Sequence, residues 1–331
     1  MKIFYPPYYN DFHCLAGDCP DSCCKEWTVD IDPETAEKYQ AMPGTLGDHL
    51  RQVLAVEDGS TIMVIQDGRC PMWQPDGLCR IQAELDHDAL CQTCRDYPRL
   101  RHDYGDFLEL GLELSCPEAA RLILTSPSAV MLSETHPHTV FPEYDADVMT
   151  ILLRSRAAVL EFLDSPHPTP QKLAAVLLYS HSIQAELDGS EAEYLLPGDC
   201  LEETNRYADT GNMTAVFAFF QSLEILTDRW RARLDQKPVD IQWSDPLLAM
   251  ARYMIQRYWL QAVSDYDLVC RVKFCVVSCL LVGALGGDLM QTAQLFSKEI
   301  ENDPDNVEAI FDGAYSSPAL TDANLFSLLL R

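Results

Sequence analysis

Apolar residues follow two regimes along the chain. Beyond about residue 143 they recur in steps of three and four, as in Met213, Val216, Phe220, Leu223, Leu226, Trp230 and Leu234, and again in Leu247, Met250, Met254 and Tyr258. That spacing puts one apolar stripe on a helix, so amphipathic helices are predicted over 213–234 and 247–258. Further helices are expected at about 144–163, 171–187, 266–284, 288–301 and 305–313, joined by short polar or Pro/Gly-bearing links. Each must bury its stripe against others, and the segment 143–331 is read as a helical bundle.

Up to about residue 125 the pattern is different. Short apolar runs such as TIMVI (61–65) and FLELGLEL (107–114) stand between Cys-Pro, Asp-Gly and Gly-Asp steps, which are turn signals. Alternation in FLELGLEL puts Phe107, Glu109, Gly111 and Glu113 on one face and the leucines on the other, the period of a half-buried strand. Asp32-Pro33-Glu34-Thr35 reads as a helix start, with Asp32 as N-cap and Pro33 in the first helical position. Residues 126–142 carry three prolines and little periodicity and are read as a connector. The predicted architecture is mainly α: a loop-rich, cysteine-bearing, metal-binding region with short strands (1–125), the connector, and the helical domain (143–331).

Composition narrows the partners. Asp and Glu number 51 against 24 Lys and Arg, a formal net charge of -27. Such a surface repels phosphate backbones and anionic membranes and attracts lysine-bearing ones, so nucleic acid and membrane are excluded as main partners. Hydrophobic residues make up 47% of the chain, enough for a real core. The longest uncharged apolar run, Phe274 to Gly287, has 14 residues, short of the roughly 20 that cross a bilayer, and predicts a buried core helix. The start, MKIFYPPYYNDFHC, lacks the apolar run of an export signal, so a cytoplasmic location is expected.

Sulfur is distributed unevenly. Nine of the thirteen cysteines lie in the first 116 residues: Cys14, Cys19, Cys23, Cys24, Cys70, Cys79, Cys91, Cys94 and Cys116. In a reducing compartment, clustered cysteines are metal ligands or redox groups more often than disulfides. Cys19, Cys70 and Cys116 each precede a proline, a step also found beside cluster ligands in bacterial ferredoxins, which tilts the choice towards iron and sulfur. Four thiolates also make a good zinc site, so zinc stays open. Cys200 and the helically spaced Cys270, Cys275 and Cys279 sit in apolar surroundings and are read as core residues.

Other signatures are missing or weak. Glu26 stands where the Cys-x3-Cys-x2-Cys arrangement of radical S-adenosylmethionine enzymes would need a cysteine. Val282 to Gly287 (VGALGG) follows a helix pattern and reads as close helix packing with a glycine stop, not as a dinucleotide loop. Arg95, Arg99 and Arg101 crowd behind Cys94, either to neutralise an anionic cluster or hold a carboxylate, or as an ordinary solvated charge run.

Pro7-x-Tyr9, the Cys14–Cys24 group with Trp27 after it, RCPMW (69–73), DGLCRIQ (76–82), CRDYPR (94–99) and SCPEAARLIL (115–124) together resemble the flagellin lysine-N-methylase family. Cys19, Cys23, Cys24, Cys70, Cys79 and Cys94 are also similar to those of small cysteine-rich domains described as zinc- or iron-chelating. The resemblance implies methyl transfer from S-adenosylmethionine to lysine ε-amines of flagellin, or of another lysine-bearing protein, by a chain carrying an iron–sulfur cluster, expected in its 4Fe-4S form. Such chemistry needs a neutral amine and aromatic groups that tolerate the cationic methyl, for which Tyr97, Tyr104 and Trp27 beside the cysteines are the candidates. The competing expectation is a non-catalytic zinc or iron–sulfur module for redox sensing or protein interaction.

Overall fold

The computed structural model describes residues 1–25, 28–57, 59–127, 130–136, 142–204 and 211–330. It is mainly α with short strands, as the patterning predicts. Seven strands are present among the described residues: β1 Lys2–Tyr5, β2 Val29–Ile31, β3 Leu54–Glu57, β4 Ser60–Met63, β5 Arg99–Asp103, β6 Phe107–Leu112 and β7 Leu132–Thr135. They form two sheets, ordered β5-β6-β1-β7 and β2-β4-β3.

The larger sheet joins distant parts of the chain. β1 runs parallel to β6, pairing Lys2 with Phe107, while β7, from within the connector, runs antiparallel to β1. Only the β5–β6 hairpin is a local pairing. FLELGLEL is a strand, but its polar face is not solvated. Glu109 is buried under Arg156, whose guanidinium holds the carboxylate with two bonds of 2.8 and 2.5 Å. A bidentate fork of this kind compensates a charge that burial would otherwise expel.

Helix starts follow the local chemistry. Asp32 accepts from the Thr35 N–H at 3.0 Å and opens the helix Pro33–Ala41. The helices Ala146–Leu163, Thr169–Leu187 and Asp245–Tyr258 match their predicted ranges within a few residues. Every residue of Val269–Leu285 is buried, including Arg271, which pairs with Asp265, and Lys273, which pairs with Asp322 and the Ala314 carbonyl. Cys270, Cys275 and Cys279 are core residues of this helix, and Cys200 is equally enclosed. The glycines at its end have the packing role expected: a Cβ on Gly283 would come within 2.7 Å of Ile241, and Gly286 adopts φ +63° at the C-cap.

One predicted helix is broken in two. The stripe from Met213 to Leu234 divides into Met213–Gln221 and Asp228–Leu234. Between them Glu224 N–H is taken by Asn306 Oδ1 and Leu226 N–H by the Glu299 carboxylate, both at 2.9 Å, and Thr227 caps the second helix. Side-chain acceptors thus outbid the helix for these backbone donors.

Apolar side chains gather in two cores. The smaller includes Val29, Tyr39, Leu50, Met63, Met72 and Ile81 together with Cys70 and Cys91. The larger holds the helices and also takes in Phe12, Phe107, Leu112, Cys116 and the helix Pro117–Leu124. Among the described residues no helix is long and apolar enough to cross a membrane.

Candidate metal centre and cavity

The nine N-terminal cysteines are delivered by loops and by helix starts. Cys79, Cys91 and Cys116 are the N-caps of the short helices Arg80–Glu84 and Gln92–Asp96 and of Pro117–Leu124. Asp32 positions the second of these: besides capping its own helix, it accepts from Gln92 N–H at 2.8 Å, and burial notwithstanding, these N–H donors hold its carboxyl below the usual range. The loops are stitched to each other. Cys70 N–H donates to the Cys24 carbonyl at 2.7 Å, beside a bridge between Lys25 and Arg69, and Trp73 pairs with Cys79.

The result is a cavity of about 480 Å³ with seven of the nine cysteines in its wall: Cys14, Cys19, Cys23, Cys24, Cys79, Cys94 and Cys116. Cys70 and Cys91 lie behind the wall in the small core. Burial pushes the Cys70 thiol up to about 11 and the Cys116 thiol to about 12, and also raises Cys19 and Cys79. Cys23 is raised by its hydrogen bond to Cys24 and then by burial. In the Cys91–Cys94 pair the Cys94 thiol donates, lowering Cys91 and raising itself. Apart from Cys91, these thiols are held in the neutral form by their surroundings. Among the described residues no three His, Cys, Asp or Glu side chains are gathered to hold a single ion.

Of the aromatic candidates, Tyr97 lines the cavity and its hydroxyl lies 3.1 Å from Ser115 Oγ. Tyr104 does not reach it. Its ring stacks on Phe107 at 4.8 Å, beside the β5–β6 turn. Trp27 lies outside the described residues. The arginine run separates: Arg99 reaches the cavity over the Phe12 ring, whereas Arg101 pairs outside with Asp103.

Sequence reasoning missed the opposite wall, which comes from residues far along the chain: Leu226, Thr227, Lys298, Glu299 and Asn302. Gln294 fastens this wall to the cysteine loops by donating to Asp21 Oδ2 at 3.0 Å and to the Ser115 carbonyl at 2.7 Å. The only local signal was the polar run SKEIEN closing an apolar helix.

Behind Ser115 a chain of polar groups enters the large core. Ser115 donates to Glu113, Arg257 stands 3.5 Å from Glu113 and 3.2 Å from Glu301, and the Tyr253 and Tyr258 hydroxyls also donate to Glu301. One guanidinium therefore serves two buried carboxylates. Burial, with Glu301 nearby, raises Glu113 above the usual carboxylate range despite Arg257. A raised folded-state value favours the native state fully below the unfolded value and loses that contribution as pH climbs through the folded one. Glu113→Gln, which keeps a hydrogen-bonding side chain without the charge, is expected to gain stability over the native chain as pH rises through the acidic range and to hold a constant margin above it. Denaturant melts from pH 4 to 8 check this, and a margin independent of pH would contradict it.

Comparison with known proteins places this chain. It is 36% identical over 143 residues to the lysine-N-methylases of Salmonella typhimurium (strain LT2) and Salmonella choleraesuis (strain SC-B67), covering 40% of this chain and 35% of each relative. To the flagellar biosynthetic protein FliU of Salmonella muenchen it is 34% identical over 141 residues, 40% of this chain and 83% of that one. The chain belongs to the flagellin lysine-N-methylase family. It spans about a third of the length of the lysine-N-methylases it matches. No family model matches the chain, and no solved structure matches it.

Proposed function

We propose that this protein methylates lysine side chains of flagellin, or of another lysine-bearing protein in the cytoplasm, with S-adenosylmethionine as donor and an iron–sulfur cluster as resident group. The observation that carries the reading is the cavity walled by seven cysteines in a chain of this family. An all-sulfur donor set suits iron and sulfur. Cys14, Cys19, Cys23, Cys24, Cys79, Cys94 and Cys116 would hold the cluster, while Cys70 and Cys91 belong to the small core. When bound, such a group supplies redox chemistry or a structural anchor.

The chain's own residues do the rest. Methyl transfer needs a neutral amine, and the stretch of the wall made by Leu15, Leu78 and Leu90, away from its charged groups, disfavours a charged one. Tyr97 offers an aromatic wall beside the sulfurs. The surplus of acids attracts lysine-bearing surfaces from a distance.

Incubating metal-replete protein with S-adenosylmethionine and flagellin is expected to add multiples of a methyl mass to flagellin lysines, and Cys23→Ser with Cys24→Ser should abolish the gain. If the intact metalloprotein leaves the mass of flagellin unchanged, the non-catalytic metal module is the better account of the same cysteines.

A further inference from the structure

The polar wall of the cavity is made by a turn of π-helix, Ser297–Glu301, in which Asn302 N–H reaches back five residues to the Ser297 carbonyl at 3.1 Å. Such turns carry one residue more than the α-helix allows and are frequent at functional sites. Here the turn sends Lys298, Glu299 and Asn302 to the cavity while Ile300 and Glu301 stay in the core. Glu299 is engaged with Leu226 and Thr227. The Lys298 ammonium is buried, 3.6 Å from Asp21 Oδ2. Asn302 Oδ1 is buried too and has no hydrogen-bond partner among the described residues. Leaving an acceptor unmet costs about 1–3 kcal/mol, a cost that a ligand's donor removes.

A cation, an unmet carbonyl oxygen and a carboxylate along one wall match a zwitterion. We propose that this wall binds the amino-acid end of S-adenosylmethionine, Lys298 taking its carboxylate and Asn302 Oδ1 with Asp21 taking its ammonium. The assignment rests on the donor reading above. A substrate lysine is the poorer occupant here, because its side chain brings an amine but no carboxylate to set against the Lys298 ammonium. The cavity, at about 480 Å³, lies in the range of small-molecule pockets, and Phe12, Leu15, Leu78 and Leu90 supply apolar surface for the nucleoside.

The test is calorimetric titration of metal-replete protein with S-adenosylhomocysteine, with methylthioadenosine, which lacks the amino-acid end, and with methionine. S-adenosylhomocysteine should bind about tenfold or more tighter than methylthioadenosine. Lys298→Met and Asn302→Leu should each remove most of that gap by weakening S-adenosylhomocysteine and methionine while leaving methylthioadenosine unchanged, and Lys298→Arg should retain part of it. Asn302→Leu deletes an acceptor that has no partner to lose, so the fold tolerates it, and thermal melting confirms that. Native binding of S-adenosylhomocysteine by both variants, equal binding of the two nucleosides by the native chain, or no binding of any probe overturns the assignment. If flagellin gains methyl groups while both variants bind normally, only the site is wrong. If the discrimination is seen and flagellin stays unmodified, only the methylase reading is wrong.

Discussion

Chelator-treated, reduced protein is expected to be cut by protease within 14–25 and 64–79 about tenfold or more faster than metal-replete protein, while the helices from 146 to 330 resist. The reason is the size of the small core. It rests on few side chains, among them Val29, Tyr39, Leu50 and Met72, with Cys70 and Cys91 counted as part of it. The loops that carry Cys14 to Cys24 and Cys70 to Cys79 have hardly any regular structure beyond single turns and isolated bridges. Small loop-rich units of this kind need a metal to fold, and binding free energies of structural metal sites reach about 10 kcal/mol. Cys23→Ser with Cys24→Ser should reproduce the effect without chelator. Equal protease resistance of fully stripped and replete protein would show that the thiols are packing residues.

The second large effect is expected at Arg257. Its guanidinium lies between Glu113 and Glu301 and also donates to the Tyr253 hydroxyl at 2.6 Å. Arg257→Leu leaves two carboxylates in the core without a countercharge, and breaking a buried pair in this way costs about 3–5 kcal/mol. The denaturant midpoint should fall with an unchanged slope, and adding Glu113→Gln and Glu301→Gln should recover much of the loss. A loss below about 1 kcal/mol would mean that water reaches these acids and that the network is not a sealed one.

How much of this was readable beforehand depended on range. Helices whose information is local were legible: Asp32-Pro33 marks a start because capping acts over three residues, and Ala146–Leu163 and Thr169–Leu187 follow from their apolar spacing. The cysteines were legible as a set, and seven of them do share one cavity. Long-range features left no local trace. β1 pairs with β6 about a hundred residues away, so the first strand of the sheet lacks any neighbour in sequence. Glu109 reads as a solvent-facing residue until Arg156 covers it. The split at 222–227 follows from acceptors on Glu299 and Asn306, and the stripe of apolar residues crosses it unbroken. Lys298 and Asn302 stayed hidden because a π turn shifts which positions share a face.

The cavity lies at the seam of the two cores. Its far wall belongs to helices late in the chain, Cys116 belongs to the larger core, and Cys79 and Cys94 pack against the smaller. A group held by all of them is therefore a record of correct assembly. A molecule in which either core has opened releases it, and by mass action its binding favours molecules in which both remain closed. With the proposed cluster in place, the metal content of a preparation would count its intact molecules, and a substitution deep in the helical core, far from any cysteine, would become visible as lost metal before it is visible as lost helix.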